Sequence, residues 1–269
     1  MALKDITLGQ YFPGNTLLHR LDPRTKLLFT VAYIVALFLA KHVVGYAVLF
    51  VLLAVLIAVS KVGIRSILRG MKPILIIVII TGLLNLFYTR GKGAPLVSFW
   101  IFTIYPEGIW AAVFMVLRIA MLITCTFLLT YTTSPILLTD GLEKLMGPLK
   151  PLHVPVHELS MMMSIALRFI PTLIEETDKI MSAQKARGAD FETGKLTQRA
   201  KALLPLLVPL FVSSFRRADE LAVAMESRCY HGGEGRTRLH PLKLSARDGV
   251  AAGVLAVLAV CVGLADALL

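Results

Sequence analysis

The chain has 269 residues, of which 57% are hydrophobic and only 17% charged, and its mean hydropathy is +0.75. Because soluble domains are only about 45–50% apolar, this composition excludes a disordered chain and argues against a soluble globular enzyme. It predicts a polytopic membrane protein. The net charge of +11 would suggest nucleic-acid binding in a soluble protein. In a membrane protein it fits basic loops on the cytoplasmic side, so we expect no nucleic-acid partner.

The first zone, residues 1–133, is predicted to form an N-terminal membrane domain of about four spans. Asp22 and Pro23 are typical of an N-cap and a first helical position, and the apolar run Leu27–Ala40 follows. Because a span needs about 20 residues, the first helix is expected to start near Pro23, with Arg24 and Lys26 snorkelling. Three further apolar runs predict the other spans: Val43–Val59, Pro73–Tyr88 and Gly108–Thr133.

The connections between these runs differ in basic charge. Basic residues cluster before the first run and after the second, at Lys4, Arg20, Arg24 and Lys26 and at Lys61, Arg65, Arg69 and Lys72. The alternate connections hold only Lys41, or Arg90 with Lys92 inside an expected irregular loop, Thr89–Glu107. The positive-inside rule therefore predicts a cytoplasmic N-terminus.

One charged side chain falls inside a predicted span. Arg118 lies in the fourth apolar run, and intramembrane charges are functional hypotheses by default. Arg118 either ties helices together, with Asn85 as a candidate partner, or lines a path through the bundle. The sequence leaves both interpretations open.

The second zone, residues 134–247, holds sixteen basic and twelve acidic residues, too many for buried spans. Apolar residues still recur at helical spacing. They predict two long amphipathic helices, Val156–Arg187 and Leu196–Arg228, each about 48 Å long if straight. Residues 248–269 predict a C-terminal span. The expected fold class is therefore all-α, a polytopic membrane helical bundle with a cytoplasmic domain of two long amphipathic helices.

Prolines and small residues modify the two long helices. Pro171 is expected to kink the first helix, and Pro205 and Pro209 the second. Three small residues spaced four apart would let the helices cross closely: Ser214, Ala218 and Ala222.

The two long helices also resemble each other. A shift of 41 residues places Asp178 on Asp219 and Arg187 on Arg228. Gly188 follows the first arginine and the segment His231–Gly235 follows the second, and glycine at such a place ends a helix. Each arginine either caps its helix through the helix dipole or projects from the cytoplasmic tip into a groove on a soluble partner.

Motifs that would carry enzymatic chemistry are incomplete. The glycine-rich stretch 232–237 lacks the spacing and the lysine of a phosphate-binding loop. His153, His157 and Glu158 lack the spacing of a zinc protease. Glu175 and Glu176 are better explained as a solvated helix face. We therefore expect no catalytic residue and no metal site. The cysteines are too far apart for a zinc pattern or a disulfide framework: Cys125, Cys229 and Cys261.

Three stretches together point to a family. Residues 19–27 read His-Arg-Leu-Asp-Pro-Arg-Thr-Lys-Leu, and residues 186–188 read Ala-Arg-Gly. Residues 227–238 read Ser-Arg-Cys-Tyr-His-Gly-Gly-Glu-Gly-Arg-Thr-Arg. This combination resembles the T component, the transmembrane coupling subunit of energy-coupling factor (ECF) transporters, over nearly the whole chain. The second signature keeps only the arginine of Ala-Arg-Gly.

The resemblance implies a scaffold that transmits motion. The family's fold is a bundle of spans with a cytoplasmic coupling domain of two crossed helices. Each signature arginine would dock one of two ATP-binding cassette subunits, which bind and hydrolyse ATP, so this chain would be no enzyme and need no cofactor. The implied docking residues are Arg187 and Arg228 with their neighbours Ala186, Gly188, Ser227 and Cys229.

The resemblance also implies a membrane partner, the substrate-binding S component of a vitamin or micronutrient importer in the plasma membrane of a prokaryote. Its expected contacts lie on the two long helices: Met161, Met162, Met163, Phe169, Leu207 and Phe211. The methionine run fits either an adaptable binding surface or ordinary core packing.

Two rival classes stay open. One is a conventional permease with its own substrate path, for instance around Arg118. The other is a membrane enzyme that uses Glu175, Glu176 or His157.

Overall fold

The computed structural model describes residues 11–40, 42–89, 97–99, 102–191, 196–233, 235 and 241–268. The fold is an all-α membrane helical bundle, as the sequence predicts. The helices are α1 (Pro23–Leu39), α2 (Val43–Ser60), α3 (Ile64–Tyr88), α4 (Pro106–Thr132), α5 (Pro135–Leu145), α6 (Val156–Ala186), α7 (Leu196–Glu226) and α8 (Ala246–Leu268). A 3₁₀ helix, Gly147–Leu152, separates α5 from α6.

The chain divides into two compact units. The described residues of Leu142–Pro241 form one unit, which contains α6 and α7 and is called the arm unit below. Those of Gly9–Gly141 and Leu242–Leu269 form the other, which contains α1–α4 and α8 and is called the bundle unit.

Three of the described helices, α2, α3 and α4, are long and apolar enough to cross a membrane. Over 18 residues their mean hydropathies are 2.8, 2.0 and 2.3. Helix α1 is shorter, with 17 residues, and is not one of these three. The total number of spans and the cytoplasmic N-terminus stay predictions. Four of the charges used to predict orientation lie outside the described residues: Lys4, Lys41, Arg90 and Lys92.

The core of the bundle unit joins α1, α2, α4 and α8. Tyr33 and Leu37 of α1 are almost completely buried, as is Leu49 of α2, and Tyr33 Oη donates a hydrogen bond to Leu49 O over 3.2 Å. Met121 of α4 and Leu258 of α8 complete the cluster. Burial of these side chains is what the apolar runs lead one to expect.

Helix α3 is longer than the sequence predicts. It begins at Ile64 rather than at Pro73, which lies inside the helix. The expected loop residues Arg65, Arg69 and Lys72 therefore lie on its first turns, where all three are exposed. A proline inside a helix removes one backbone hydrogen bond. Because the three charges are three and four residues apart, they lie on one face of the helix. This common polar face lets the helix extend through these turns.

The expected irregular loop before α4 contains a short hairpin. Strands β1 (Val97–Phe99) and β2 (Phe102–Ile104) pair antiparallel, with Val97 opposite Ile104. Helix α4 begins at Pro106, two residues earlier than expected. Aromatic and β-branched residues favour strands, which explains why this segment is ordered as a ladder.

Candidate functional site

The C-terminal end of α6 is closed by a Schellman motif around Arg187. The N–H of Gly188 donates to Lys185 O over 3.0 Å, and the N–H of Ala189 donates to Gln184 O over 3.0 Å. Gly188 has φ +87°, the left-handed conformation that this motif requires. Arg187 is therefore the C-cap of the helix, directly after its last residue, and its side chain is exposed.

The C-terminal end of α7 has the same motif around Arg228. The N–H of Cys229 donates to Glu226 O over 2.9 Å, and the N–H of Tyr230 donates to Met225 O over 3.0 Å. Each of these bonds has its counterpart 41 residues earlier, at the end of α6. The two arginines thus occupy equivalent positions on equivalent helix ends, and Arg228 is also exposed.

The second helix ends near Arg228 as expected, but the left-handed residue that ends it is not a glycine. The left-handed residue is Cys229, with φ +56°, two residues before the expected break at His231–Gly235. A residue with a Cβ in this conformation costs about 1–2 kcal/mol relative to a right-handed one. Part of the expected break, Glu234, lies outside the described residues.

Helices α6 and α7 meet through an ion pair. Arg217 Nη2 donates to Glu176 Oε2 over 3.0 Å, and Ser213 Oγ donates to Glu176 Oε1. The Arg217 guanidinium also lies 5.7 Å from the ring centroid of Phe169. Glu176 is therefore half-buried at the contact rather than on a solvated face, while Glu175 is exposed as expected.

This contact joins equivalent positions of the two helices. Arg217 follows Glu176 by the same 41 residues that separate the terminal arginines. Each arginine consequently lies eleven residues beyond the contact residue of its own helix, about 16 Å at 1.5 Å per residue. The small residues expected at the crossing are only partly there, because Ala218 and Ala222 are exposed.

His157 at the start of α6 contacts the segment that follows α7. Its Nδ1 lies 3.3 Å from Glu143 Oε1, and its Nε2 lies 3.5 Å from Tyr230 Oη. The Arg228 end of α7 therefore lies beside the N-terminus of α6, whereas Arg187 ends that helix. Since α6 has 31 residues, the two arginines are on the order of 40 Å apart along it.

The residues expected to contact an S component divide by exposure. Met162, Met163, Leu207 and Phe211 are exposed, and Phe211 keeps 61% of its accessible surface. Met161 and Phe169 are half-buried. Exposure of most of the set argues against ordinary core packing, and the S-component contacts stay a prediction. Pro171, Pro205 and Pro209 lie inside continuous helices, and the kinks expected there stay predictions.

Arg118 is held between helices of the bundle unit. Its Nε donates to Tyr46 Oη over 2.8 Å, and its guanidinium lies 5.5 Å from the ring centroid of Phe38. Asn85, the partner considered from the sequence, instead donates to Thr81 O. The geometry fits an arginine that ties α4 to α1 and α2.

The stretch 19–27 has a structural role that sequence reasoning missed. Lys26 was expected to snorkel, but it is buried, and its Nζ donates to Thr132 O over 2.9 Å and to Thr133 Oγ1 over 3.1 Å. It thereby binds a carbonyl that the end of α4 leaves without a helical partner. Asp22 caps α1 as predicted, accepting from the N–H of Arg24.

The same stretch also contacts the start of α8. The N–H of Asp22 donates to Asp248 Oδ1 over 2.9 Å, and Ser245 donates to Asp248 Oδ2 through both its N–H and its hydroxyl. Ser245 and Asp248 have the spacing of a capping box, a signal that could have been found in the sequence. The stretch thus joins α1, α4 and α8.

Metal and disulfide chemistry find little support in the described part of the chain. No group of three His, Cys, Asp or Glu side chains there could hold a metal ion, and the three cysteines are free. Glu176 and His157, two of the three residues considered for a membrane enzyme, lie nineteen residues apart on α6, about 28 Å. They do not form one site.

Comparison with known proteins decides the family. A family model described as CbiQ, cobalt transport protein, matches residues 14–239. The energy-coupling factor transporter transmembrane protein EcfT of Clostridium kluyveri is 56% identical over 262 residues, covering 97% of each chain. The chain belongs to this family of ECF transporter transmembrane proteins. Proteins of the same name from Thermosediminibacter oceani and Bacillus subtilis are 53% and 49% identical, covering 95% and 91% of this chain and 97% and 92% of their own.

Membership of the ECF family confirms the resemblance drawn from the sequence. The matched residues include the helix-start stretch and both arginine signatures. The chain is a membrane component of a prokaryotic transporter, which agrees with its long apolar helices.

Proposed function

We propose that this chain is the coupling subunit of an ECF-type importer. Arg187 and Arg228 each dock one of two ATP-binding cassette subunits, which bind and hydrolyse ATP. The chain itself is not catalytic and binds no cofactor. It transmits the motion of the docked subunits to a substrate-binding S component, which takes up a vitamin or another micronutrient.

The observation that carries this proposal is that the two helix ends have the same backbone structure, each with an exposed arginine. An arginine that only caps a helix needs no particular surroundings, since the dipole alone favours it. Here both arginines are exposed at the ends of matching Schellman motifs. Neither guanidinium has a hydrogen-bond or ion-pair partner among the described residues. Two equivalent, exposed arginine tips suit a pair of similar partner subunits.

The exposed apolar side chains of α6 and α7 support the proposal that the chain binds an S component. Met162 and Met163 lie near the start of α6, and α7 exposes large side chains along its middle turns, including Leu207 and Phe211. Large exposed apolar patches mark surfaces for proteins or lipids. We assign this surface to the S component, with lipid around it, because methionines adapt to differently shaped partners.

Charge reversal of the two tips tests the docking role. The tagged chain is expressed with its candidate ATPases and S component, either as wild type or as Arg187→Glu with Arg228→Glu. The matched control is Lys179→Glu with Arg216→Glu, which reverses one exposed charge on each helix away from the tips. We expect the tip variant to lose the ATPases on purification and the control to keep them.

The docking role, the permease and the enzyme each predict a different outcome, and the last two need measurements of uptake and of activity. Equal retention of the ATPases by all three forms would make the arginines helix caps and overturn the docking role. Uptake by the chain without any S component would favour the permease, and a reaction catalysed by the purified chain alone would favour the enzyme.

A further inference from the structure

We propose that His157 is a positioning residue for the Arg228 tip: it holds the turn after α7 so that the arginine points in a fixed direction. The inference rests on the proposed docking function. It adds a residue that touches neither the expected ATPase nor the arginine itself. Two contacts and one backbone observation within the arm unit carry it.

The first contact is between side chains. His157 Nε2 lies 3.5 Å from Tyr230 Oη, and on the other side of the ring Nδ1 lies 3.3 Å from Glu143 Oε1. The imidazole thus sits between the end of α5 and the turn after α7. Because one ring nitrogen faces each partner, the ring orientation is fixed from both sides.

The second contact is the packing of the turn against the imidazole ring. A Cβ built on Gly233 would lie 2.6 Å from His157 Cγ and closer still to His157 Cδ2, nearer than real Cβ atoms come. Only a residue without a side chain can approach the ring this closely. The glycine-rich stretch after Arg228 is therefore explained, at this position, by the histidine that it packs against.

The third observation links the turn to the arginine. Tyr230 supplies the N–H that closes the Schellman motif on Met225, and Cys229 between Tyr230 and Arg228 has φ +56°. Since Cys229 lacks the freedom of glycine, the left-handed conformation is intrinsically unfavourable there. Contacts of Tyr230 and Gly233 with His157 stabilise it and so fix the last turn of α7.

A double-mutant cycle tests the proposal on the full chain in detergent with its S component. The apparent affinity for the purified ATPases is measured for His157→Ala in three backgrounds: wild type, Arg187→Ala and Arg228→Ala. We expect about a tenfold loss in the first two backgrounds and almost none in the third, because residues that act through one contact are not additive. Tyr230→Phe should follow the same pattern with a smaller loss.

Controls separate this inference from the proposed function. Glu158→Gln, an exposed neighbour of His157, should change nothing. If Arg228→Ala alone binds the ATPases like wild type, the docking role is wrong and the inference falls with it. If Arg228→Ala weakens binding but His157→Ala adds its full loss on top, only the positioning role is wrong. Should His157→Ala fail to fold, Tyr230→Phe and Gly233→Ala decide by the same comparison.

Discussion

The buried ammonium group of Lys26 joins α1 to the end of α4 in the bundle unit. It donates to the last carbonyl of α4 at Thr132 and to the hydroxyl of Thr133, and it lies 3.4 Å from His19 O. Charged donors make the stronger hydrogen bonds, and a buried acceptor left alone costs more than the bond gains. A residue expected to reach for water is instead a cap for a neighbouring helix.

Lys26→Met is expected to destabilise the chain by about 3 kcal/mol, because it keeps the apolar stem but leaves the Thr132 carbonyl without its donor. The measurement is the thermal unfolding midpoint of the purified chain in detergent. Arg20→Met, an exposed basic residue six positions earlier, is the control and should stay within about 0.5 kcal/mol of wild type. Equal effects of the two changes would contradict the capping role.

The left-handed residues that end α6 and α7 give a pair of predictions with opposite signs. Cys229→Gly should raise the free energy of unfolding by about 1 kcal/mol, since glycine adopts φ +56° without a steric penalty. Gly188→Ala should lower it by a similar amount, because φ +87° is strained for alanine. Unfolding midpoints of the two variants, measured side by side, check this. A shift of both in the same direction would exclude the shared Schellman geometry.

At the scale of helices, α3 and α4 approach each other through glycines. A Cβ on Gly108 of α4 would lie 2.9 Å from Leu86 O, and one on Gly82 of α3 would lie 2.9 Å from Val116 Cγ2. Small residues at such contacts let membrane helices pack by close backbone approach. The first contact is with backbone, which cannot turn aside as the Val116 side chain can.

Gly108→Ala is therefore expected to destabilise the α3–α4 pair by about 1–3 kcal/mol. Gly253→Ala in α8 is the matched control, because nothing lies within 4 Å of a Cβ built there. Alanine in an open helical position stabilises by about 0.5–1 kcal/mol, so the two variants should move the unfolding midpoint in opposite directions. Destabilisation by both would mean that helix context, not close packing, determines the effect.

The sequence predicts helices and their ends better than it predicts contacts between them. Asp22 and Gly188 mark a helix start and a helix end through local backbone chemistry, and both were found. The start of α3 was missed because Pro73 is a helix-start signal that the surrounding turns override. Lys26 was misjudged because its acceptors at the end of α4 are distant in sequence.

At the scale of the molecule, the candidate site also has features that the sequence predicts and features that it does not. The repeated arginines could be read from spacing alone, because each lies at a local helix end. The ion pair of Glu176 with Arg217 and the contact of His157 with Tyr230 could not, since both depend on how α6 and α7 pair. Only afterwards does the 41-residue shift show that the ion pair joins equivalent positions.

The Glu176–Arg217 contact makes a prediction for the assembled transporter. If α6 and α7 transmit motion from two docked ATPases, the joint between them must resist being pulled apart. Glu176→Arg places two like charges at a half-buried contact and leaves Ser213 without its acceptor. Because Arg187 and Arg228 are untouched, the ATPases should still bind. We expect ATP hydrolysis to continue while substrate uptake falls about tenfold or more.

Two further variants test whether the effect belongs to the Glu176–Arg217 contact. The swap Glu176→Arg with Arg217→Glu restores opposite charges and should recover part of the uptake, since directly paired residues are not additive. Glu175→Arg reverses the exposed neighbouring carboxylate and should leave uptake close to wild type. Uptake and hydrolysis are measured together on vesicles holding the complete transporter. Loss of uptake in Glu175→Arg as large as in Glu176→Arg would assign the effect to net charge on α6 and remove the contact from the transmission path.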